Sequence, residues 1–197
     1  MNGWWLALLI LTGCQSPDIK KFDDACDFLS QKTEWFSYAQ EAESNWGVSS
    51  GLILAIIYQE SSFKAEAGHQ TKYLLGFIPW GRVSSAYGFA QAKDAVWGEY
   101  ISERGGILTE RTRFKDASDF IGWYLNRISK QVGLKKTDGY NLYLAYHEGP
   151  TGYKNKTYRS KPWLLAVAKR VAKRAEEYDK QINDCHFSLK MKSLFFF

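Results

Sequence analysis

Apolar and polar positions alternate with a helical period along most of the chain. Phe22, Cys26, Leu29, Thr33, Phe36 and Gln40 recur at spacings of three and four, which predicts an amphipathic helix from Asp23 to about Asn45. Trp46-Gly47-Val48 closes it, because glycine readily takes the left-handed conformation that ends a helix. The next run, Leu52-Ile53-Leu54-Ala55-Ile56-Ile57-Tyr58-Gln59-Glu60, is apolar on nearly every side, so it predicts a buried central helix with Ser49 or Ser50 as its N-cap. Further helices are predicted from Ala90 to about Ser102, stopped by Gly105-Gly106, and from Asp116 to about Val132, stopped by Gly133. Asn141 to His147 reads as a short helix broken by Gly149-Pro150. The last helix begins near Pro162 and carries the stripe Leu164, Ala168, Val171, Ala175, Tyr178 and Ile182, with Lys169, Arg170, Lys173 and Arg174 mostly off it as a solvated face.

Two stretches break the pattern. Lys64 to Val83 is irregular, punctuated by Gly68-His69, Gly76 and Pro79-Trp80-Gly81. Its Tyr73, Leu74, Leu75, Phe77, Ile78 and Trp80 are too many apolar residues for a solvated loop, so it either packs over the domain or lines a groove. The chain closes on Leu194-Phe195-Phe196-Phe197, which the sequence leaves open as a packed, membrane-touching or disordered tail. No repeat and no convincing strand alternation appear, and the expected fold class is mostly α.

The first residues change the compartment. Trp4 to Leu11 is apolar, too short to span a bilayer, and followed by Thr12-Gly13-Cys14, so residues 1–14 read as a signal peptide. Leu11-Thr12-Gly13-Cys14 resembles the bacterial lipobox, which implies that Cys14 is lipidated and that residues 15–21 link it to a domain over 22–186, with 187–197 as the tail. A plain cleaved signal and a buried apolar arm are the other readings. Gln15 after the cysteine resembles lipoproteins sorted to the outer membrane, which implies its periplasmic face. With Cys14 so assigned, Cys26 and Cys185 remain, either as a disulfide in an oxidising compartment or as two buried thiols.

Size and charge narrow the class. About 180 residues after the leader suffice for one domain with a real core. A net charge of +5 suits an anionic surface such as cell wall or phospholipid headgroups. No nucleic-acid-binding motif is recognisable, and export argues against that partner.

The chemistry gathers in three segments: Tyr58-Gln59-Glu60-Ser61-Ser62-Phe63, Ser85-Ala86-Tyr87-Gly88-Phe89-Ala90-Gln91 and Ala145-Tyr146-His147-Glu148-Gly149-Pro150. Glu60 ends the greasy helix, where burial disfavours the carboxylate and raises its pKa toward that of a general acid. In this order the segments resemble the lytic transglycosylases of the soluble (SLT) type, in the goose-type lysozyme-like superfamily, over roughly Ala39 to Tyr178. The resemblance implies a lysozyme-like single domain with a substrate groove and Glu60 as its catalytic acid. It implies Gln91 as a substrate-contacting glutamine, in a Gly-Phe-Ala-Gln that stands where the family has Gly-Leu-Met-Gln, and Tyr146 as a tyrosine hydrogen-bonding near the acid. Ser61 and Ser62 cap the helix end or meet the sugar, and Tyr87 and Trp80 are groove-lining candidates. His147 and Glu148 replace the family's Asn and Ala and lie in the same segment as candidate substrate contacts.

One acid suffices if the substrate supplies the rest. In peptidoglycan, muramic acid offers its own N-acetyl oxygen and its own C6 hydroxyl, whereas most glycosidases recruit a second carboxylate. The implied reaction is cleavage of the MurNAc-β-1,4-GlcNAc bond with closure of a 1,6-anhydro ring. If Glu148 faced Glu60 across room for a water, the enzyme would instead be a hydrolytic muramidase. A third reading is a non-catalytic scaffold lipoprotein that binds peptidoglycan. His147 has no second His or Cys at ligand spacing, so neither a metal nor another cofactor is expected. The expected partners are peptidoglycan glycan strands and, through the anchor, the membrane.

Overall fold

The computed structural model describes residues 22–68, 71–74, 78–82 and 84–195, with the backbone alone at 71–74, 78–82 and 195. Among these residues the regular structure is seven α-helices, a single-turn 3-10 helix at Thr157–Ser160 and a two-stranded antiparallel sheet. The mostly α, lysozyme-like class expected from the periodicity and the motifs holds.

The first predicted helix is two. α1 (Ala25–Gln31) starts at Asp24, whose carboxylate accepts from the Asp27 N–H, and the chain leaves helical geometry at Lys32 (φ −128°, ψ 66°) before α2 (Thr33–Trp46). The break lets the two halves bury different surfaces. Phe28 and Leu29 of α1 pack toward the C-terminal helix, whereas Phe36, Ala39 and Ala42 of α2 pack toward the interior. Gly47 ends α2 in the left-handed region at φ 65°.

α3 (Ser50–Ser61) is the central helix. The Ser49 hydroxyl accepts from the Leu52 N–H, and every residue from Ser50 to Ile57 is buried. Its longest partner is α7 (Pro162–Phe195), which it approaches closely at Gly51. There the Gly51 N–H donates to Asp179 Oδ1 at 2.7 Å, while Glu43 Oε2 accepts from the Ser50 N–H and hydroxyl. Both carboxylates meet the positive end of the α3 dipole. At its other end α3 stops on Ser62 and Phe63, both left-handed (φ 51° and 59°), a conformation that costs a residue with a side chain. Phe63 is held there by burial in an aromatic cluster with Trp35, Phe22 and Phe28.

The apolar stretch after α3 contains β1 (Thr71–Leu74) and β2 (Ile78–Arg82), paired antiparallel with Leu74 opposite Ile78 and Thr71 opposite Arg82. The sequence shows no strand alternation here because apolar residues adjoin one another, as in Leu74-Leu75 and Phe77-Ile78, and the two short strands leave the mostly α class unchanged. α4 (Asp94–Glu103) begins four residues later than predicted, because Gly88 and Gln91 adopt positive φ and hold residues 88–93 in turns. α5 (Phe114–Val132) ends at Gly133, φ 72°. α6 (Gly139–Lys154) breaks where predicted: Gly149 is non-helical (φ 74°, ψ 163°) and Pro150 has no N–H to donate, so the element is two helical segments joined at a kink.

α7 spans 34 residues and crosses the boundary placed at 186/187. Leu189 and Ser193 continue its buried stripe, so residues 187–195 extend the last helix instead of forming a separate tail. Cys26 and Cys185 are joined as a disulfide that ties α1 to this helix. The leader, the lipobox at Cys14 and the linker 15–21 lie outside the described residues, as do the side chains of 71–83. No helix among the described residues is long and apolar enough to cross a membrane.

A Cβ on Gly51 would stand 2.5 Å from the Ala175 carbonyl oxygen and 2.4 Å from Asp179 Oδ1, so α3 and α7 would have to separate. Gly51→Ala is expected to lower stability by about 1–3 kcal/mol, the usual cost of overpacking, measured by urea unfolding with the disulfide intact.

Candidate active site

The last turn of α3 delivers Glu60 to a cleft of about 430 Å³ that Gln91, Tyr124, Tyr146, His147 and Glu148 also line. One turn of greasy helix behind it and the aromatic wall beside it keep water from most of the carboxyl group. Burial pushes the Glu60 pKa from 4.5 up to about 7, against the opposing effect of a hydrogen bond from Tyr143. The C-terminal end of a helix disfavours an anion in the same direction. A carboxyl with a pKa near neutrality can give a proton and take one back at the same working pH.

Tyr143 is the residue that touches Glu60. Its hydroxyl donates to Glu60 Oε1 at 2.9 Å, and burial together with the neighbouring Glu60 carboxylate raises its own pKa. Tyr146 lies near the acid, since burial and then the Glu60 charge raise its pKa, but its hydrogen bond goes elsewhere. The Tyr146 hydroxyl donates to the Ala90 carbonyl at 2.6 Å, while its ring lies 6.5 Å from that of Tyr143 and 5.5 Å from that of Tyr124. Tyr143 was missed although the signal was present. It lies three residues before Tyr146, hence on the same face of α6.

Gln91 lines the cleft, but its amide nitrogen is spent on the protein. Both N–H groups donate to backbone, to the Ala67 carbonyl at 2.8 Å and the Gly88 carbonyl at 2.9 Å, leaving only Oε1 to face a ligand. The clasp ties the end of the 61–68 turn to the 88–91 turn. Gly88 lets the 88–91 turn pack against Arg111, since at φ 82° a Cβ there would lie 2.3 Å from the Arg111 carbonyl oxygen.

Glu148 is occupied on both oxygens. Lys161 Nζ lies 2.7 Å from Oε1 and 3.0 Å from Oε2, His147 Nδ1 lies 3.0 Å from Oε1, and the Thr157 hydroxyl donates to Oε2. Burial alone would raise its pKa, but the hydrogen bonds from Lys161, Thr157 and His147 outweigh that and hold it at about 2. A carboxylate so stabilised is a poor base. His147 stays at the cleft margin, its ring 5.3 Å from the exposed Trp163.

Ser61, Ser62 and Tyr87 are not among the residues that line the cleft. Ser61 is buried and its hydroxyl donates back to the Ile57 carbonyl at 2.9 Å, so the sugar-contact reading gives way to a helix-terminal one. Ser62 is the left-handed C-cap, its N–H donating to the Tyr58 carbonyl. Tyr87 is partly buried; its backbone bridges to Gly68 and Ala92 and its ring packs over Gly68. The side chain of Trp80 lies outside the described residues. Among the described residues no cluster of His, Cys, Asp and Glu is arranged to hold a metal ion.

The fold is that of a mostly helical, lysozyme-like domain, and its cleft holds an acid whose pKa burial raises to about 7. The family model described as "Transglycosylase SLT domain" matches residues 3–185, and the chain belongs to that family. Membership carries, in general terms, a transglycosylase acting on peptidoglycan. No curated protein and no solved structure matches the chain.

The raised Glu60 pKa has a consequence for stability. Between about pH 4.5 and 7 the folded chain keeps a proton that the unfolded chain has released, so this group lowers stability as pH rises through that window. Glu60→Gln removes the penalty: stability relative to the wild type is expected to be unchanged at about pH 4 and higher by up to ~3 kcal/mol at about pH 8. Urea unfolding at the two pH values measures the difference, and an equal difference at both would mean that the Glu60 pKa is not raised.

Proposed function

We propose that the chain is a peptidoglycan lytic transglycosylase in which Glu60 acts first as general acid and then as general base. The observation that carries this reading is a single carboxyl, raised to about 7, at the floor of a cleft whose other acid is fully engaged by Lys161, Thr157 and His147.

The protonated Glu60 gives its proton to the bridging oxygen between MurNAc and GlcNAc as the C1–O bond breaks. Positive charge develops at C1 of muramic acid and is met from within the sugar by the N-acetyl oxygen. The Glu60 carboxylate then accepts the proton of the C6 hydroxyl as O6 attacks C1 and closes the 1,6-anhydro ring. The reaction needs no water, and the attacking group is already attached to the substrate, which supplies the proximity a bimolecular attack lacks. Tyr143 steadies the carboxyl through both proton transfers by donating to Oε1. Gln91 and Tyr146 shape the cleft wall from the 88–91 turn and α6, with Gln91 Oε1 left to accept from a sugar hydroxyl.

A hydrolytic outcome needs a second carboxylate free to activate water. Glu148 is the acid available in the cleft, and its ion pair with Lys161 favours a role in fixing the Gly149 kink to the Thr157–Ser160 turn. The proposed setting is the periplasmic face of the outer membrane, with the lipid on Cys14 holding the domain near the wall.

Digestion of purified sacculi by the wild type is expected to release muropeptides ending in anhydromuramic acid, identified by mass spectrometry. Reducing ends alone would refute the transglycosylase reading. Glu60→Gln is expected to lower release by about 100-fold or more, the usual scale for losing a general acid–base group. Glu148→Gln should retain the anhydro product, and a switch of product in that variant would reassign Glu148 to the chemistry. Cys14→Ala is expected to move the protein from the salt-washed membrane fraction to the soluble one, and an unlipidated Cys14 in the wild type, read by mass spectrometry, would refute the anchor.

A further inference from the structure

The outward face of α7 changes character along its length. At 100° per residue, Lys169, Lys173, Glu176 and Lys180 share one column with Phe187, Met191 and Leu194. All seven are exposed, and the column lies opposite the buried Leu189 and Ser193. Up to Lys180 it is the charged solvent face that an amphipathic helix normally presents. From residue 187 onward it is apolar, with Phe187 78% and Leu194 67% exposed.

We propose that this distal end of α7 is a membrane-contact surface that seats the domain on an anionic phospholipid bilayer, in addition to any lipid on Cys14. Three observations choose lipid as the occupant. Lys190 is exposed on the flank of the apolar column, Lys192 is exposed further round the helix, and no acid lies between Asp184 and the end of the described helix, so apolar and cationic groups are presented together as at an interfacial helix. The three side chains offer a few hundred Å² at most, well short of the roughly 800 Å² per partner that a stable dimer interface buries. The chain entering the fold is also close by. The Tyr178 hydroxyl donates to the Phe22 carbonyl, and the disulfide joins Cys26 to Cys185. Cys14 precedes Phe22 by eight positions, a maximum reach of roughly 26–29 Å, against about 20 Å of helix from Tyr178 to Met191. Tyr178 and Cys185 are on the side of α7 away from the column, so the path also crosses about 10–12 Å of helix. The extended linker still spans it, and a lipid on Cys14 can reach the bilayer plane that the apolar column enters. The helix would lie on the surface and not cross it.

The choice of lipid over another partner rests in part on the anchored reading, so the test removes the anchor. In a full-length Cys14→Ser chain, an environment-sensitive fluorophore is attached either at Phe187→Cys or, on the charged part of the same column, at Lys180→Cys. The chain is mixed with vesicles of equal phosphatidylethanolamine and phosphatidylglycerol. The label at 187 is expected to shift to the blue and to become shielded from an aqueous quencher, while the label at 180 stays in water. Adding Lys190→Glu and Lys192→Glu is expected to weaken the 187 response by roughly tenfold or more at low salt. Three results would overturn the proposal: a 187 label that stays aqueous while the chain sediments with vesicles, an equal shift at both positions, or a 187 shift that grows with protein concentration in the absence of vesicles. The last would assign the face to a second copy. Sacculus digestion by the same labelled chains reports the catalytic reading separately and is expected to match the unlabelled Cys14→Ser chain.

Discussion

The burial of α3 on every side is the constraint on which the rest of the molecule depends. From Ser50 to Ile57 the helix has no solvent face, so its packing partners must surround it, and α7 does so at a distance that only Gly51 permits. Such a helix can meet water only where it ends. Its final turn brings Glu60 to the boundary between the apolar core and the cleft, and the left-handed pair Ser62 and Phe63 turns the chain away at once. The same burial that gives the fold its core therefore raises the Glu60 pKa. Stability and chemistry pull against each other at this one residue, since the ionised form is disfavoured by the environment that makes the protonated form available.

The wall opposite Glu60 is held together by polar groups that answer one another. Gln91 clasps Ala67 and Gly88, Tyr146 holds Ala90, and Tyr143 reaches the acid itself. These bonds connect three segments distant in sequence, and each uses a backbone carbonyl or carboxylate that would otherwise be left poorly solvated in the cleft. Glu148 is treated differently. It is paired with Lys161 across the Gly149 kink, and its charge is neutralised locally. Among the described residues lining the cleft, Glu60 is the acid without an ion pair, as the proposed reaction requires.

Much of this was legible in the chain. Gly47 and Gly133 stop helices where the pattern said they would, the all-apolar run is the buried helix, and Glu60 lies at its end. Other elements were not. Lys32 carries no breaker signal, and the helix parts there because the residues on either side pack against different partners. The β1–β2 pair lies in a stretch whose apolar residues adjoin one another, as in Leu74-Leu75 and Phe77-Ile78, with Gly and Pro between, so no strand periodicity shows. Ser61 looked like a ligand because it follows the acid, yet a helix turns 100° per residue and carries its hydroxyl back into the core. Tyr143 and Tyr146 are interchangeable by spacing, and only the position of α6 relative to α3 decides which of them meets Glu60.

The sequence by itself determined what local rules can carry: a mostly α chain, a central helix that had to be buried, and an acid at its end whose charge would be disfavoured. Hydrophobic periodicity and glycine conformation act within a few residues, so they survive without knowledge of the fold. The tertiary structure alone decided which tyrosine holds the acid, that the Gln91 amide is committed to backbone, and that Glu148 is consumed by Lys161. Those outcomes depend on distances of a few ångströms between segments up to 83 residues apart, such as Tyr143 and Glu60. Hydrogen bonds and ion pairs fall off over such distances, and no pattern along the chain encodes them.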